Sequence, residues 1–168
     1  SHNVAVGRSA LSANTTGSQN VSIGRSSMAN NTTAANNTAV GYQALFTNVT
    51  GTANTAVGKD ALEANLGDNN TAVGLDAMTA NTTGTQGTGI GVGALTANTT
   101  GNYNSALGYL ALGANTTGQQ NTAVGVEALD ASSTASYNTA VGYRALGANT
   151  TGQENAAFGT DALLANTT

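Results

Sequence analysis

One seventeen-residue unit, N-T-A-V-G-x-x-A-L-x-A-N-T-T-G-x-x, repeats along the whole chain. Units begin at Asn3, Asn20, Asn37, Asn54, Asn70, Gly87, Asn104, Asn121, Asn138 and Asn155. Asn54 to Asn70 is one residue short, and the deletion falls at Leu66-Gly67. A fixed period of this kind makes each unit one structural module that buries its apolar face only by stacking on its neighbours.

The composition of the unit narrows the module. Thr, Asn and Gly fill much of it, and none favours a helix interior. The longest helix-compatible stretch is of the Asp60–Ala64 kind, far too short for a helical repeat. Two short strands per coil fit instead: T-A-V at the second to fourth positions and A-L-x-A at the eighth to eleventh. Turns close them at the fifth-position glycine and at N-T-T-G. Stacked at about 4.8 Å per layer, such coils make an all-β parallel β-solenoid, or β-roll, of ten coils.

In a stack, each residue lies over its equivalent in the next unit. Gly41, Gly58 and Gly74 belong to a glycine column present in all ten units, which requires either an unusual backbone angle or a close approach that a Cβ forbids. Asn37, Asn54 and Asn70 belong to an asparagine column able to form amide ladders. Val40, Val57, Val73, Leu45, Leu62 and Met78 are the expected lumen. The third-position alanine lies on the opposite face of the same strand from the fourth-position valine. A strand apolar on both faces reads as buried on both, so the alanine rows are expected to meet a neighbouring chain. The alternative is that this alanine is only a compact outward residue.

These residues resemble a known pattern. Asn37–Leu45 (NTAVGYQAL) and Asn138–Leu146 (NTAVGYRAL) are similar to the head repeats of trimeric autotransporter adhesins, with their N-S-V-A-I-G-x-x-A motif. They are also similar to N-T-A-V-G-x-x-A-L repeats of phage tail-fibre-like proteins. The unit here is longer than that of the adhesin heads and has one residue fewer between the asparagine and the glycine. The resemblance implies a left-handed β-roll, a homotrimer packed about a common axis, and a role in attachment at a bacterial surface or on a virion.

Chemistry is sparse. Only 7% of residues are charged and the net charge is −4, which argues against nucleic acid as a partner. There is no Cys, and no apolar run reaches the length of a membrane span. The sole imidazole, His2, lies in Ser1-His2, which reads as a tag remnant ahead of a 3–168 array cut from a longer fibre. No enzyme and no cofactor are expected. Asp60 and Asp76 stack at the seventh position and fit two solvated aspartates better than a glycosidase pair. A Ca²⁺ bridging Asp60, Asp76 or Asp68-Asn69-Asn70 is conceivable, although the nonapeptide calcium motif is missing. The glycine run Gly87–Gly93 is the sixth repeat rather than a nucleotide loop. The N-T-T sequons, such as Asn81 and Asn98, read as repeat turns.

All the charges and nearly all the aromatics occupy five positions of the unit, so one side is constant and the other free. Tyr42, Tyr103, Tyr109, Tyr137 and Tyr143 are the outward residues best suited to stack on a host glycan or protein. They are scattered along the sequence, which fits solvation or inter-chain packing better. The expected function is an extracellular fibre shaft, with self-association as the first partnership. A self-assembling filament and an ice-binding face built on threonine rows such as Thr38, Thr55 and Thr71 are the competing readings.

Overall fold

The computed structural model describes residues 2–168. Ten strands follow in chain order: β1 (Val4–Val6), β2 (Val21–Ile23), β3 (Thr38–Val40), β4 (Thr55–Val57), β5 (Thr71–Val73), β6 (Thr88–Ile90), β7 (Ser105–Leu107), β8 (Thr122–Val124), β9 (Thr139–Val141) and β10 (Ala156–Phe158). They form one parallel sheet in sequence order. The chain is an all-β solenoid with no helix among the described residues. Register is strict: Thr38, Ala39 and Val40 oppose Thr55, Ala56 and Val57. The short coil does not shift it, since Val57 still opposes Val73. The missing residue is absorbed at the far corner, where Asn65 Nδ2 donates to the Gly67 carbonyl two residues on. In the full coils the same bond spans three residues, as from Asn48 to Gly51.

The lumen is lined by the third, eighth and ninth positions. Ala39, Ala44 and Leu45 are fully buried, as are Ala56, Ala61 and Leu62, and Met78 takes the leucine place in coil 5. Leu45, Leu62 and Met78 therefore lie where the sequence analysis puts them. Val40, Val57 and Val73 do not. They are only half-buried and point outward, and the column they belong to reaches 57% exposure at Val6 and 70% at Phe158. The physical reason is space. The ninth-position side chain already fills the lumen opposite the strand, leaving room for a methyl group and no more. Coil 6 shows how tight the fit is: a Cβ on Gly89 would sit 2.9 Å from Met78 Cγ. The alanines at the third and eighth positions thus face the lumen, not a neighbouring chain.

The second strand is also corrected, since A-L-x-A does not form one. The seventh and ninth positions both carry positive φ in every coil, as at Gln43 (54°) and Leu45 (52°) in coil 3. Successive tight turns result, with Phe46 N–H donating to the Gln43 carbonyl and Asn48 N–H to the Leu45 carbonyl. Alternate N–H groups still reach the next coil, as from Leu45 to the Ala61 carbonyl at 3.0 Å. This limb therefore stays laddered without being extended. The left-handed region is costly for a residue such as leucine. Here it aims each leucine inward against the alanines of the strand, where burial offsets the strain.

The fifth-position glycines satisfy both conditions read from the sequence. Gly41 has φ +142° and Gly58 φ +138°, and a Cβ on Gly41 would lie 2.2 Å from the Gly58 carbonyl oxygen of the next coil.

Candidate functional site

The asparagine columns are wall, not site. In the first column each Oδ1 accepts the backbone N–H of the equivalent residue in the next coil: Asn54 N–H to Asn37 Oδ1 at 2.8 Å, Asn70 N–H to Asn54 Oδ1 at 2.9 Å and Gly87 N–H to Asn70 Oδ1 at 2.9 Å. Each Nδ2 donates across the coil to a carbonyl, as from Asn37 to Gly51 at 2.9 Å. The amide ladder is thus stitched to backbone on both sides, which satisfies polar groups that would be costly to bury alone. In the twelfth-position column the side chains pair directly, Asn98 Nδ2 to Asn81 Oδ1 at 2.7 Å and Asn115 Nδ2 to Asn98 Oδ1 at 2.8 Å. These asparagines are the N-T-T sequons. Their amide nitrogens are buried or part-buried and already donating, so the folded wall has no free amide for a glycan.

The column is interrupted at Asn31 and Asn48, whose Oδ1 atoms are buried and unpaired, and at Ser132, whose hydroxyl is buried without a partner and leaves Asn115 Oδ1 below it unpaired.

The candidate acidic sites are dispersed. Asp60 pairs with Lys59, raising the lysine above its ordinary pKa through that hydrogen bond. Asp68 Oδ1 accepts the Thr52 N–H at 2.6 Å and the Thr52 hydroxyl at 3.1 Å, a link between two coils. Asp130 is held above the usual carboxylate range, first by burial and then by Glu127. No group of three or more metal-ligating side chains gathers among the described residues, and no ligand-sized cleft opens among them. The run Gly87–Gly93 contains β6 and opens no helix.

What remains is the outer sheet face. Within each strand the second and fourth positions face out and the third faces in, while the exposed seventeenth and sixth positions lie in the turns that flank it. The threonine row Thr38, Thr55 and Thr71 runs along this face, half-buried beside the valine column. The thirteenth-position threonines lie on the far corner, where Thr82, Thr99 and Thr116 each donate a hydroxyl to the coil above. In the first four coils the sixth position is largely basic, and Arg25 stacks 5.6 Å from the Tyr42 ring centre. From coil 5 it turns apolar through Leu75, Val92, Tyr109, Val126 and Tyr143, all exposed.

The tyrosines are less scattered than the sequence suggests. Tyr103 and Tyr109 flank β7, and Tyr137 and Tyr143 flank β9, two coils along; all four are exposed. The stacked strands of this face rise through nine coil intervals, about 43 Å.

No protein-family model, no curated protein and no solved structure matches this chain.

Proposed function

We propose that this chain is a length of extracellular fibre shaft, of the adhesin or tail-fibre kind, which spaces or presents a binding element. It works by self-association rather than by catalysis. The observation that carries the reading is the outer face of the ten-strand sheet. It is continuous and apolar along its fourth position, where Val6, Ile23, Ile90, Leu107 and Phe158 are exposed. A coil whose lumen holds one leucine and two alanines has little core of its own. A column of valine, isoleucine, leucine and phenylalanine left facing water is an unspent source of apolar burial. The resemblance to trimeric adhesin repeats favours three copies. A sparsely charged, cleft-free rod suits a spacer in a surface fibre.

Sedimentation velocity together with small-angle scattering tests the proposal. The expected result is a small, defined oligomer with the cross-section of several coils side by side. A folded monomer at micromolar concentration contradicts it.

A further inference from the structure

Apart from the self-association just proposed, we infer that the chain binds a neutral, extended polysaccharide of β-1,4-linked sugars laid along the rod, with alternate sugars stacked on Tyr109 and Tyr143. Every tyrosine of the chain flanks β3, β7 or β9: Tyr42 the first, Tyr103 and Tyr109 the second, Tyr137 and Tyr143 the third. Any two tyrosine levels are therefore an even number of coils apart in the sequence-ordered sheet. At the sixth position the climb is in register. The Glu127 N–H donates to the Tyr109 carbonyl at 2.9 Å, and the Arg144 N–H to the Val126 carbonyl at 3.0 Å. Tyr109, Val126 and Tyr143 thus stand on successive coils, which sets the two tyrosines about 10 Å apart along the rod. Both are about half exposed, at 49% and 48%, and the residue between them is the shorter Val126.

That interval selects the ligand. A sugar packs its C–H face on an aromatic ring and keeps its hydroxyls at the rim, which suits an amphipathic, half-exposed tyrosine. In an extended β-1,4-linked chain each sugar is flipped relative to the last, so only every second one presents the same face. The two-sugar repeat of such a chain has the length of two coils. Chains with α-linkages coil, and do not hold alternate rings in one line at that interval. The seventh-position neighbours fit a neutral polymer. Glu127 and Arg144 follow the sixth position directly and pair with each other, Arg144 Nε to Glu127 Oε2 at 3.7 Å. Their charges offset one another, while both side chains stay partly exposed to meet hydroxyls. Tyr42 differs: Arg25 lies 5.6 Å from its ring centre, and the next tyrosine level is four coils away. Tyr103 and Tyr137 repeat the two-coil interval on the other flank of β7 and β9. All four lie in turns, outside the fourth-position column through which copies are proposed to associate.

Calorimetric titration with oligosaccharides of increasing length tests this. A disaccharide reaches one tyrosine and a tetrasaccharide reaches two on consecutive repeats. Affinity is expected to rise by roughly tenfold or more from cellobiose to cellotetraose, or from chitobiose to chitotetraose. The two series distinguish a glucose polymer from an N-acetylglucosamine polymer. Maltotetraose, which is α-linked, is expected not to bind. The double variant Val126→Tyr, Tyr143→Val keeps the number of tyrosines but sets two on adjacent coils, and is expected to lose the gain with length. The inference is overturned by binding of neither series, by equal affinity for disaccharide and tetrasaccharide, by equal binding of maltotetraose, or by a double variant that keeps the gain. The length series is read on the unaltered chain, so it decides even where the variant fails to fold. Sedimentation of the same samples reads self-association separately, so either proposal can fail while the other stands.

Discussion

Replacing Gly74 by alanine separates the two reasons for the glycine column, because the chain contains its own control. Gly74 has φ +139°, and a Cβ there would lie 2.5 Å from the carbonyl oxygen of Gly91 and 2.7 Å from its carbon. Gly159 has φ +123°, yet a Cβ there meets nothing within 4 Å. Both substitutions force an L-residue into a backbone region that costs about 1–3 kcal/mol. Only Gly74→Ala adds an overlap with backbone. No rotamer relieves that overlap, so the coils above and below must part, at a further cost of about 1–3 kcal/mol. Both gain the same small benefit, about 0.4–1 kcal/mol, from a stiffer unfolded chain. Gly74→Ala is therefore expected to destabilise by roughly 2–5 kcal/mol, and Gly159→Ala by clearly less, roughly 1–2 kcal/mol. Urea unfolding followed by circular dichroism reads the difference through the midpoint at constant slope. Equal losses at the two sites would refute the close-approach argument and leave backbone angle as the sole cause.

Ser132→Asn should complete the broken amide column by giving Asn115 Oδ1 a donor. It is expected to raise stability by about 1–3 kcal/mol in the same unfolding assay, reversing the cost of two unpaired buried groups. Met78 and the two glycines of coil 6 should be coupled. A Cβ on Gly87 would lie 2.7 Å from Met78 Cε, so Gly87→Asn with Gly89→Ala is destabilising alone and is rescued by Met78→Leu, with a coupling of about 1–3 kcal/mol in a double-mutant cycle. Asp130 has its folded pKa raised, so its protonated form is favoured by folding. That contribution is present below the ordinary carboxylate pKa and is lost as pH rises through the raised value. Asp130→Asn should accordingly raise the melting temperature at pH 7 and leave it nearly unchanged at pH 3.

Much of this architecture is legible in the sequence, and the parts that are not have physical causes. The period, the glycine column and the leucine lumen follow from one-dimensional regularity, because stacking places equals over equals. Which side of the strand faces in does not follow. Ala39 and Val40 are both apolar, and alternation assigns them to opposite faces without saying which is the lumen. The answer lies in volume: Leu45 enters from the opposite limb, so the wall facing it must be small. A sequence signal for this exists in coil 6, where methionine at position 78 accompanies glycine at positions 87 and 89. The left-handed turns at Leu45 and Leu62 left no trace, since leucine is not a residue that marks positive φ.

The claim on which the rest stands is that equivalent residues climb the rod by one strand spacing per coil. The exposed fourteenth-position threonines lie away from the outer sheet face and report this directly. Nitroxide labels on Thr16→Cys paired with Thr83→Cys, Thr117→Cys or Thr151→Cys, diluted with unlabelled chain, are separated by four, six and eight coils. Pulsed dipolar spectroscopy should give distances rising linearly, near 19, 29 and 38 Å at about 4.8 Å per coil. Distances that plateau, scatter broadly or fail to rise with coil number would contradict the stacked solenoid itself.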